Sequence, residues 1–214
     1  MTRIALIGGH GKVALLAIPL LVSQGDEVGA VIRNPDHAAD VEALGATAVV
    51  ADIEHMDQQE IESLLDGYDV VVWSAGAGGG SPERTYAVDR DAAVRSMDAA
   101  TKAGASRYVM VSYFGAGPDH GVPQDNSFFA YADAKSAADA RLAQSELDWT
   151  ILRPSRLTDG PATGSVSVGA DQDKSEVSRA DVAATIAAVV DDSRTYRQTY
   201  EYNHGSTPIA EAFA

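Results

Sequence analysis

Short apolar runs rich in β-branched residues alternate along this chain with longer segments of helical periodicity. The short runs are typical of strands that are buried on both faces of a parallel sheet, and the longer segments are typical of the helices that cover such a sheet. The pattern predicts strands at 3–8, 27–33, 47–51, 69–74, 107–113, 149–153 and 199–203. It predicts helices at 12–24, 36–44, 57–66, 83–103, 128–145 and 179–191. Because strands and helices in this order form βαβ units, we predict an α/β fold of the Rossmann type with a doubly wound parallel sheet.

The length of the chain suits one substantial hydrophobic core, since 45% of its 214 residues are hydrophobic. We found no internal repeat and no linker, so residues 1–214 are expected to form a single domain with a small substrate-side region near the C-terminus. Two connections, 75–82 and 115–127, are rich in glycine and proline and follow predicted strands. Open α/β sheets bind ligands at the carboxyl ends of their strands. We therefore expect both connections to border a binding site.

The charge of the chain restricts its partners. A formal net charge of −15 repels phosphate backbones and anionic lipid, so a small-molecule substrate is expected rather than nucleic acid or a membrane. The absence of cysteine excludes disulfides and thiolate chemistry and fits a reducing compartment. The first apolar run is too short for a signal peptide, and no later run has the length of a membrane span. These features predict a cytoplasmic protein that is a monomer or a small homo-oligomer.

The first predicted strand leads through a glycine-rich turn into an apolar helix, with the motif Gly-x-x-Gly-x-x-Ala at residues 8–14. Gly8 permits the tight turn, Gly11 lets the backbone approach a diphosphate, and the small Ala14 lets helix and strand pack closely. Backbone amides at the start of the helix, including that of Val13, then face the phosphates, whose charge the helix dipole favours. Such turns also occur without ligands, but this position after the first strand favours a dinucleotide site. His10 lies within the turn, and since no second ligand stands at metal spacing, we expect a packing or backbone-bonding role and no metal site.

Residues at the ends of the second and third strands indicate which dinucleotide is bound. Enzymes that prefer NAD usually present a carboxylate after the second strand, whereas an arginine there suits the 2′-phosphate of NADP. Here that position is Arg33, and Lys12 in the first turn adds a second positive charge. NADP is therefore predicted as the cofactor in preference to NAD. Asp52 and Ile53 end the third strand, where Asp52 either accepts a hydrogen bond from the adenine amino group or caps the next turn.

Several segments together resemble the atypical short-chain dehydrogenase/reductases. In chain order they are the glycine turn and residues 31–35, 51–53, 73–78, 104–112 and 147–155. The chain is most similar to the NAD(P)H-binding, NmrA-like and biliverdin-reductase-B-like branch, which is also related to NAD-dependent epimerases and dehydratases. The likeness extends over nearly the whole chain. It implies the fold and a nicotinamide cofactor, but not one reaction, because the branch contains both reductases and sensors.

The resemblance also implies a set of site residues. Tyr131 and Lys135 match the Tyr-x-x-x-Lys pattern that the wider superfamily uses for catalysis. On a helix they share a face, so the Lys135 ammonium is expected to lower the pKa of the Tyr131 phenol, which then donates a proton while nicotinamide delivers hydride. Lys135 also reaches the nicotinamide ribose in the family. Relatives place a second hydroxyl residue after the strand, but here Ser112 is followed by Tyr113. Either Ser112 orients the substrate oxygen, or Tyr113 replaces the missing hydroxyl.

Further cofactor contacts are expected from two segments. The glycine-rich connection contributes Ala75, Gly76 and Ala77, and the stretch after the sixth strand contributes Pro154 and Ser155. Residues 157–169 are expected to close the substrate side, and their lack of large aromatic side chains favours a compact or exposed substrate.

The leading functional hypothesis is an NADPH-dependent oxidoreductase that acts on a small carbonyl, quinone-like or flavin-like acceptor. The alternative is a non-catalytic NADP redox sensor of the NmrA-like kind. A sugar epimerase or dehydratase is the third, since no substantial C-terminal substrate domain is predicted.

Overall fold

The computed structural model describes residues 1–78 and 81–213. Gly79 and Gly80, within the connection predicted to border the site, lie outside the described residues, as does Ala214. The strands are β1 Arg3–Ile7, β2 Glu27–Ile32, β3 Thr47–Val50, β4 Val70–Trp73, β5 Arg107–Val111, β6 Asp148–Pro154, β7 Arg156–Thr158, β8 Ser165–Val168, β9 Glu176–Ser178, β10 Gln198–His204 and β11 Thr207–Pro208.

The helices follow the predicted alternation. They are α1 Lys12–Ser23, α2 Ala38–Glu42, α3 Gln58–Leu65, α4 Pro82–Thr85, α5 Ala93–Ala103, α6 Phe129–Ala143, α7 Arg179–Val189 and α8 Ile209–Ala212, with 3₁₀ turns at Pro35–His37 and Ser193–Thr195. Between α4 and α5 the helix widens into π-helical turns at Tyr86–Ala92, a feature that the single predicted helix at 83–103 did not include. None of the helices in the described parts of the chain is both long and apolar enough to cross a bilayer.

Nine strands form one sheet in the order β11-β8-β10-β6-β5-β4-β1-β2-β3. Seven neighbouring strands of this sheet, β10, β6, β5, β4, β1, β2 and β3, pair in parallel. This arrangement confirms the predicted Rossmann-type doubly wound sheet. At one edge β8 and β11 are antiparallel, and β7 pairs with β9 in a separate two-stranded sheet. The prediction missed these four strands because each spans only two to four residues and mixes polar with apolar positions.

Both faces of the sheet are buried, and β1 shows how. Ile4 and Leu6 face a core layer that contains α1 and α7, whereas Ala5 and Ile7 face a second layer that contains α3 and α5. All four side chains are completely buried. Strand β1 lies between β2 and β4, so the direction in which the chain adds strands reverses there. At such a reversal the connections leave toward opposite faces, which opens a crevice above the carboxyl ends of β1 and β4.

Candidate cofactor and active site

A cleft of about 730 Å³ lies above the carboxyl ends of β1 to β5, at the point where the strand order reverses. Its volume falls within the range of small-molecule and cofactor sites. Most of the residues predicted for the site from the sequence line this cleft. They are Gly8, His10, Gly11, Lys12, Val13, Arg33, Asp52, Ile53, Ala75, Gly76, Ala77, Ser112 and Tyr131.

The turn between β1 and α1 is crowded against neighbouring backbone. The amides of Gly8 and Gly9 donate to the carbonyl of Val31 at 3.2 and 2.9 Å. Gly8 has a φ of +84°, and a Cβ there would lie 2.7 Å from the Cα of Ala75. Gly11 has a φ of −66°, a conformation open to any residue. The backbone conformation therefore requires a glycine at position 8 but not at position 11.

The N-terminus of α1 opens into the cleft without a cap. No side chain in the described residues accepts a hydrogen bond from its first turn, and that turn contains no acidic residue. The amides of Lys12, Val13 and Ala14 have no carbonyl partner within the helix, because the first turn never does. By contrast, Ser178 caps α7 through a hydrogen bond from the amide of Asp181. Uncapped amides beside a glycine turn suit an anionic group, so these residues fit a diphosphate.

Two arginines and one glutamate form a charged row at the end of the cleft where the adenosine is expected. Glu54 lies 3.7 Å from the Nη1 of Arg33 and accepts a hydrogen bond from the Nε of Arg84 at 3.1 Å. Arg84 also donates to the carbonyl of Ala77 at 2.6 Å. Arg84 is thus a further cation beside Arg33, in addition to Lys12, which the sequence predicted for the same cleft.

Lys12 pairs with a carboxylate that directly follows β7. Its ammonium lies 3.3 Å from Asp159, which also pairs with Arg179 at 2.6 Å. The hydrogen bond from Lys12, together with the charge of Arg179, holds the pKa of Asp159 below its ordinary value. Lys12 and Arg179 both line the cleft, so this side of the site is positively charged although the chain is acidic.

Asp52 and His10 make local contacts. Asp52 accepts a hydrogen bond from the amide of Glu54 at 3.3 Å and contacts His55. These contacts correspond to the predicted role in capping the next turn. His10 stacks on His37 with ring centroids 3.6 Å apart and hydrogen-bonds with Asp40 at 2.9 Å, so its role includes packing. Within the described ranges, no group of three or more His, Asp or Glu side chains is arranged to hold a metal ion.

A buried carboxylate supports the connection after β4. Asp89, in the π-helical turns, accepts a hydrogen bond from the amide of Ala77 at 2.9 Å. Its other oxygen is buried without a hydrogen-bond partner among the described residues, and it would lie 3.0 Å from a Cβ on Gly76. Burial raises the pKa of Asp89, while the charge of Lys135 lowers it. Gly76 thus permits the connection to pack against a side chain that the sequence analysis did not identify.

Ser112 is tied to a second buried carboxylate. Its hydroxyl donates to Oδ2 of Asp139 at 2.8 Å, and Arg153 donates to the same oxygen at 3.0 Å. Arg153 also lies 3.4 Å from Glu201. Ser112 is 4% exposed and lines the cleft, but its single hydroxyl hydrogen is already used. Ser112 can therefore donate a hydrogen bond to a substrate oxygen only when its hydrogen bond to Asp139 is broken.

Lys135 lies beneath the cleft instead of in its lining. It is 1% exposed, and its ammonium donates to the carbonyl of Val111 at 2.7 Å. Burial lowers its pKa, while the carboxylates of Asp89 and Asp139 raise it. Lys135 is therefore the central cation of a buried charge cluster that also contains Asp89, Asp139 and Arg153, called here the buried cluster.

The expectation that Lys135 lowers the pKa of Tyr131 was wrong. Burial raises that pKa, and the negative charges of Asp89 and Asp139 raise it further. The ammonium of Lys135 instead donates to the carbonyl of Val111 and acts on the two carboxylates. Tyr131 lines the cleft and keeps its proton throughout the physiological pH range.

Pro154 and Ser155 lie outside the described lining of the cleft, as Lys135 does. The carbonyl of Pro154 accepts from the amide of Phe114 at 2.9 Å, and the hydroxyl of Ser155 bonds to Asn203 at 2.5 Å. Both residues therefore contact neighbouring strands and loops. From the same part of the chain, Leu157 does line the cleft.

An aromatic cluster adjoins Tyr131. The rings of Tyr113, Phe128 and Tyr131 lie with centroids 5.2–5.7 Å apart. The ammonium of Lys174 lies 5.5 Å from the ring centre of Tyr113 and 5.8 Å from that of Phe128. Residues 157–169 supply no such rings, as expected, but the connection after β5 and the start of α6 do. The cleft lining at Tyr131 therefore adjoins aromatic side chains that the sequence analysis did not group with the site.

The sequence analysis missed Glu54, Arg84, Asp89, Asp139 and Arg179. Arg84 and Arg179 each follow a helix-capping serine, Ser81 and Ser178, at or near the start of a helix after a strand. That position after the carboxyl end of a strand was the available signal. The buried aspartates gave no signal, because charged residues within a helix usually face solvent.

Comparison with known proteins agrees with this geometry. A family model described as NAD(P)H-binding matches residues 8–193. Over 213 residues, 98% of each chain, the sequence is 36% identical to YhfK of Bacillus subtilis, named an uncharacterized sugar epimerase. A Bacillus halodurans protein provisionally named an NAD-dependent epimerase/dehydratase superposes with a TM-score of 0.91 at 32% identity, covering 99% of this chain and 98% of that one. ChuY of Escherichia coli O157:H7, an anaerobilin reductase, superposes with a TM-score of 0.79 at 28% identity, covering 96% and 98%.

Proposed function

The chain belongs to the NAD(P)H-binding family, and we propose that it is an NADPH-dependent oxidoreductase that reduces a quinone-like or flavin-like acceptor or a small carbonyl compound. One observation carries the proposal: a single cleft combines the uncapped N-terminus of α1 and Arg33 with the protonated phenol of Tyr131. The first two suit the diphosphate and the 2′-phosphate of NADPH, and the phenol suits proton donation to a substrate.

The division of labour in the reaction follows from these residues. When bound, NADPH supplies a hydride, that is, two electrons and one hydrogen. The acceptor then needs one proton, which the O–H of Tyr131 donates to the acceptor's oxygen or nitrogen. Asp139 fixes the hydroxyl of Ser112, which lines the same cleft as Tyr131, and Asp89 holds the connection at Ala77 in place. The buried cluster acts on the site by positioning these groups.

The aromatic cluster favours a conjugated acceptor. Flat rings pack well against aromatic side chains, and the Lys174 ammonium attracts an acidic substituent or ring-bound negative charge. The reductase activity in the name of ChuY supports the same class of reaction. The epimerase names of other relatives supply the alternative to be tested.

A screen for NADPH oxidation tests the reaction. Purified protein is mixed with NADPH and with a quinone, a free flavin, an aromatic aldehyde or an aliphatic aldehyde, and a nucleotide sugar is tested separately for epimerisation. Oxidation with the conjugated acceptors supports the proposal. If NADPH binds but no acceptor is reduced, the sensor hypothesis replaces the oxidoreductase; if only the sugar is converted, the epimerase does.

Replacing Tyr131 with phenylalanine should lower turnover of the best acceptor at least about tenfold, because the proton donor is lost. The ring remains, so the Km for NADPH should change little. Steady-state kinetics of Tyr131→Phe and of the matched Tyr86→Phe, a tyrosine on the π-helical turns, measure the effect. Unchanged turnover in Tyr131→Phe would exclude this residue as the donor. Since the pKa of Tyr131 is raised, wild-type turnover should show no loss from its ionisation below about pH 10.

Replacing Arg33 with alanine should weaken NADPH binding about tenfold to a hundredfold and leave NADH binding almost unchanged. Only NADPH has the 2′-phosphate to which the guanidinium donates. Titration of the variant with both nucleotides measures the ratio, and Arg156→Ala, which changes an exposed arginine on β7, is the control. Equal losses for the two nucleotides would contradict the predicted preference for NADP.

A further inference from the structure

We propose that Glu54 sets the balance between NADPH and NADH by holding a fixed negative charge beside the position of the 2′-phosphate on Arg33. The inference rests on the proposed function, because it concerns the adenosine end of the same cleft. It assigns a specificity-determining role to a carboxylate that follows β3, whereas the sequence rule for cofactor choice considers only the residue after β2.

Glu54 is held firmly from several sides. Its side chain is 14% exposed and accepts a hydrogen bond from Arg84 at 3.1 Å. Its amide donates to Asp52 at 3.3 Å, and its carbonyl accepts from Arg95 at 3.0 Å. The carboxylate therefore stays in place when a nucleotide enters the cleft that it lines.

Arg33 is held much more weakly. Its side chain is 59% exposed, and its Nη1 lies 3.7 Å from Glu54, which is beyond hydrogen-bonding distance. Exposed ion pairs of this kind contribute little. Arg33 can thus turn toward a dianionic phosphate without losing a strong contact, while Glu54 remains paired with Arg84.

The fixed carboxylate then acts in opposite directions on the two nucleotides. Its negative charge repels the 2′-phosphate of NADPH, and at low exposure this repulsion is only partly screened. For NADH the same carboxylate can accept a hydrogen bond from the ribose 2′-hydroxyl, the role that acidic residues have in NAD-dependent relatives of this fold. Glu54 therefore moderates a preference for NADPH that Arg33 alone would make stronger.

The Glu54→Gln variant tests this directly, because it keeps the size of the side chain and one oxygen that can accept from Arg84, and it removes the charge. Isothermal titration with NADPH and with NADH gives both affinities. NADPH should bind at least about threefold more tightly than to the wild type, and NADH should bind equally or more weakly. The gain for NADPH should shrink at high salt, since screening already reduces the repulsion in the wild type. Glu211→Gln, on α8 beyond the opposite edge of the sheet, controls for the change in net charge.

The possible results separate the two proposals. A gain in affinity cannot come from a damaged fold, so tighter NADPH binding by Glu54→Gln supports the role of Glu54. If the wild type binds NADPH and the variant binds it equally or more weakly, the role of Glu54 is overturned while the proposed function stands. If Glu211→Gln gives the same gain, the effect belongs to net charge and Glu54 has no specific role. If the wild type binds neither nucleotide, both proposals fall.

Discussion

Replacing Gly11 with valine is expected to weaken NADPH binding by more than about a hundredfold, or about 2.7 kcal/mol, while the chain still folds. Gly11 has a φ of −66°, which a valine can adopt, so the substitution requires only a shift of a few tenths of an ångström at the carbonyl of Gly8. A Cβ at this position would lie 3.1 Å from the carbonyl oxygen of Gly8 and 3.7 Å from that of Ser74. The remaining bulk stands in the cleft, where a diphosphate would approach the amides of Lys12 and Val13.

Titration of Gly11→Val with NADPH measures the loss, and the thermal unfolding midpoint shows whether the fold is kept. Gly117→Val is the control, because a Cβ there meets nothing within 4 Å. Gly8 is unsuitable for the test, since its φ of +84° and its contact with Ala75 make any substitution a change in the fold. Wild-type affinity in a folded Gly11→Val protein would show that the nucleotide does not use this turn.

Replacing Lys135 with methionine is expected to lower the free energy of unfolding by about 3–5 kcal/mol near pH 8, the usual loss when one partner of a buried charge group is removed. Methionine has a similar length, so the main change is the loss of the ammonium. Asp89 and Asp139, each 1% exposed, would then lack the cation that compensates them both, and Asp139 would keep its contacts with Arg153 and Ser112.

The loss should depend on pH with a definite sign. Burial already raises the pKa values of Asp89 and Asp139, and Lys135 is the largest influence that lowers them. Without Lys135 both pKa values rise further. A carboxyl whose pKa is raised in the folded state contributes stability below its unfolded pKa, and this stability is lost as the pH rises through the folded value. The deficit of Lys135→Met relative to the wild type should therefore grow from about pH 5 to pH 8.

Urea denaturation of both proteins at pH 5 and at pH 8 measures this difference. Lys102→Met, which removes an exposed lysine from α5, is the matched control and should change stability by less than about 0.5 kcal/mol. A deficit in Lys135→Met that is small, or that does not vary with pH, would show that Lys135 does not compensate the buried aspartates.

The parts of the structure that the sequence predicted correctly are those that local residues determine. The seven parallel strands follow from apolar runs that need burial on both faces. The β1–α1 turn was identifiable because only glycine tolerates the backbone of Gly8 and its contact with Ala75. Most predicted contact residues line one cleft, since the carboxyl ends of parallel strands meet at one edge. Their roles toward a cofactor and a substrate stay predictions.

The rest depends on tertiary contacts that no local pattern encodes. Arg33, Glu54 and Arg84 come together from three connections, and the register of the sheet decides which charges meet. The spacing of Tyr131 and Lys135 suggested a catalytic pair, but Lys135 lies between Asp139, one turn further along α6, and Asp89, which the fold brings from the π-helical turns. The π-helical turns that place Asp89 next to Ala77 also cannot be recognised from the spacing of apolar residues in a helix.

A crystal structure with NADPH at millimolar concentration tests the central claim most directly. We predict one nucleotide per chain, with its diphosphate on the amides of Lys12 and Val13 and its 2′-phosphate on Arg33. A cleft that stays empty under these conditions, or a nucleotide bound elsewhere on the chain, would contradict the assignment of this cleft as a dinucleotide site.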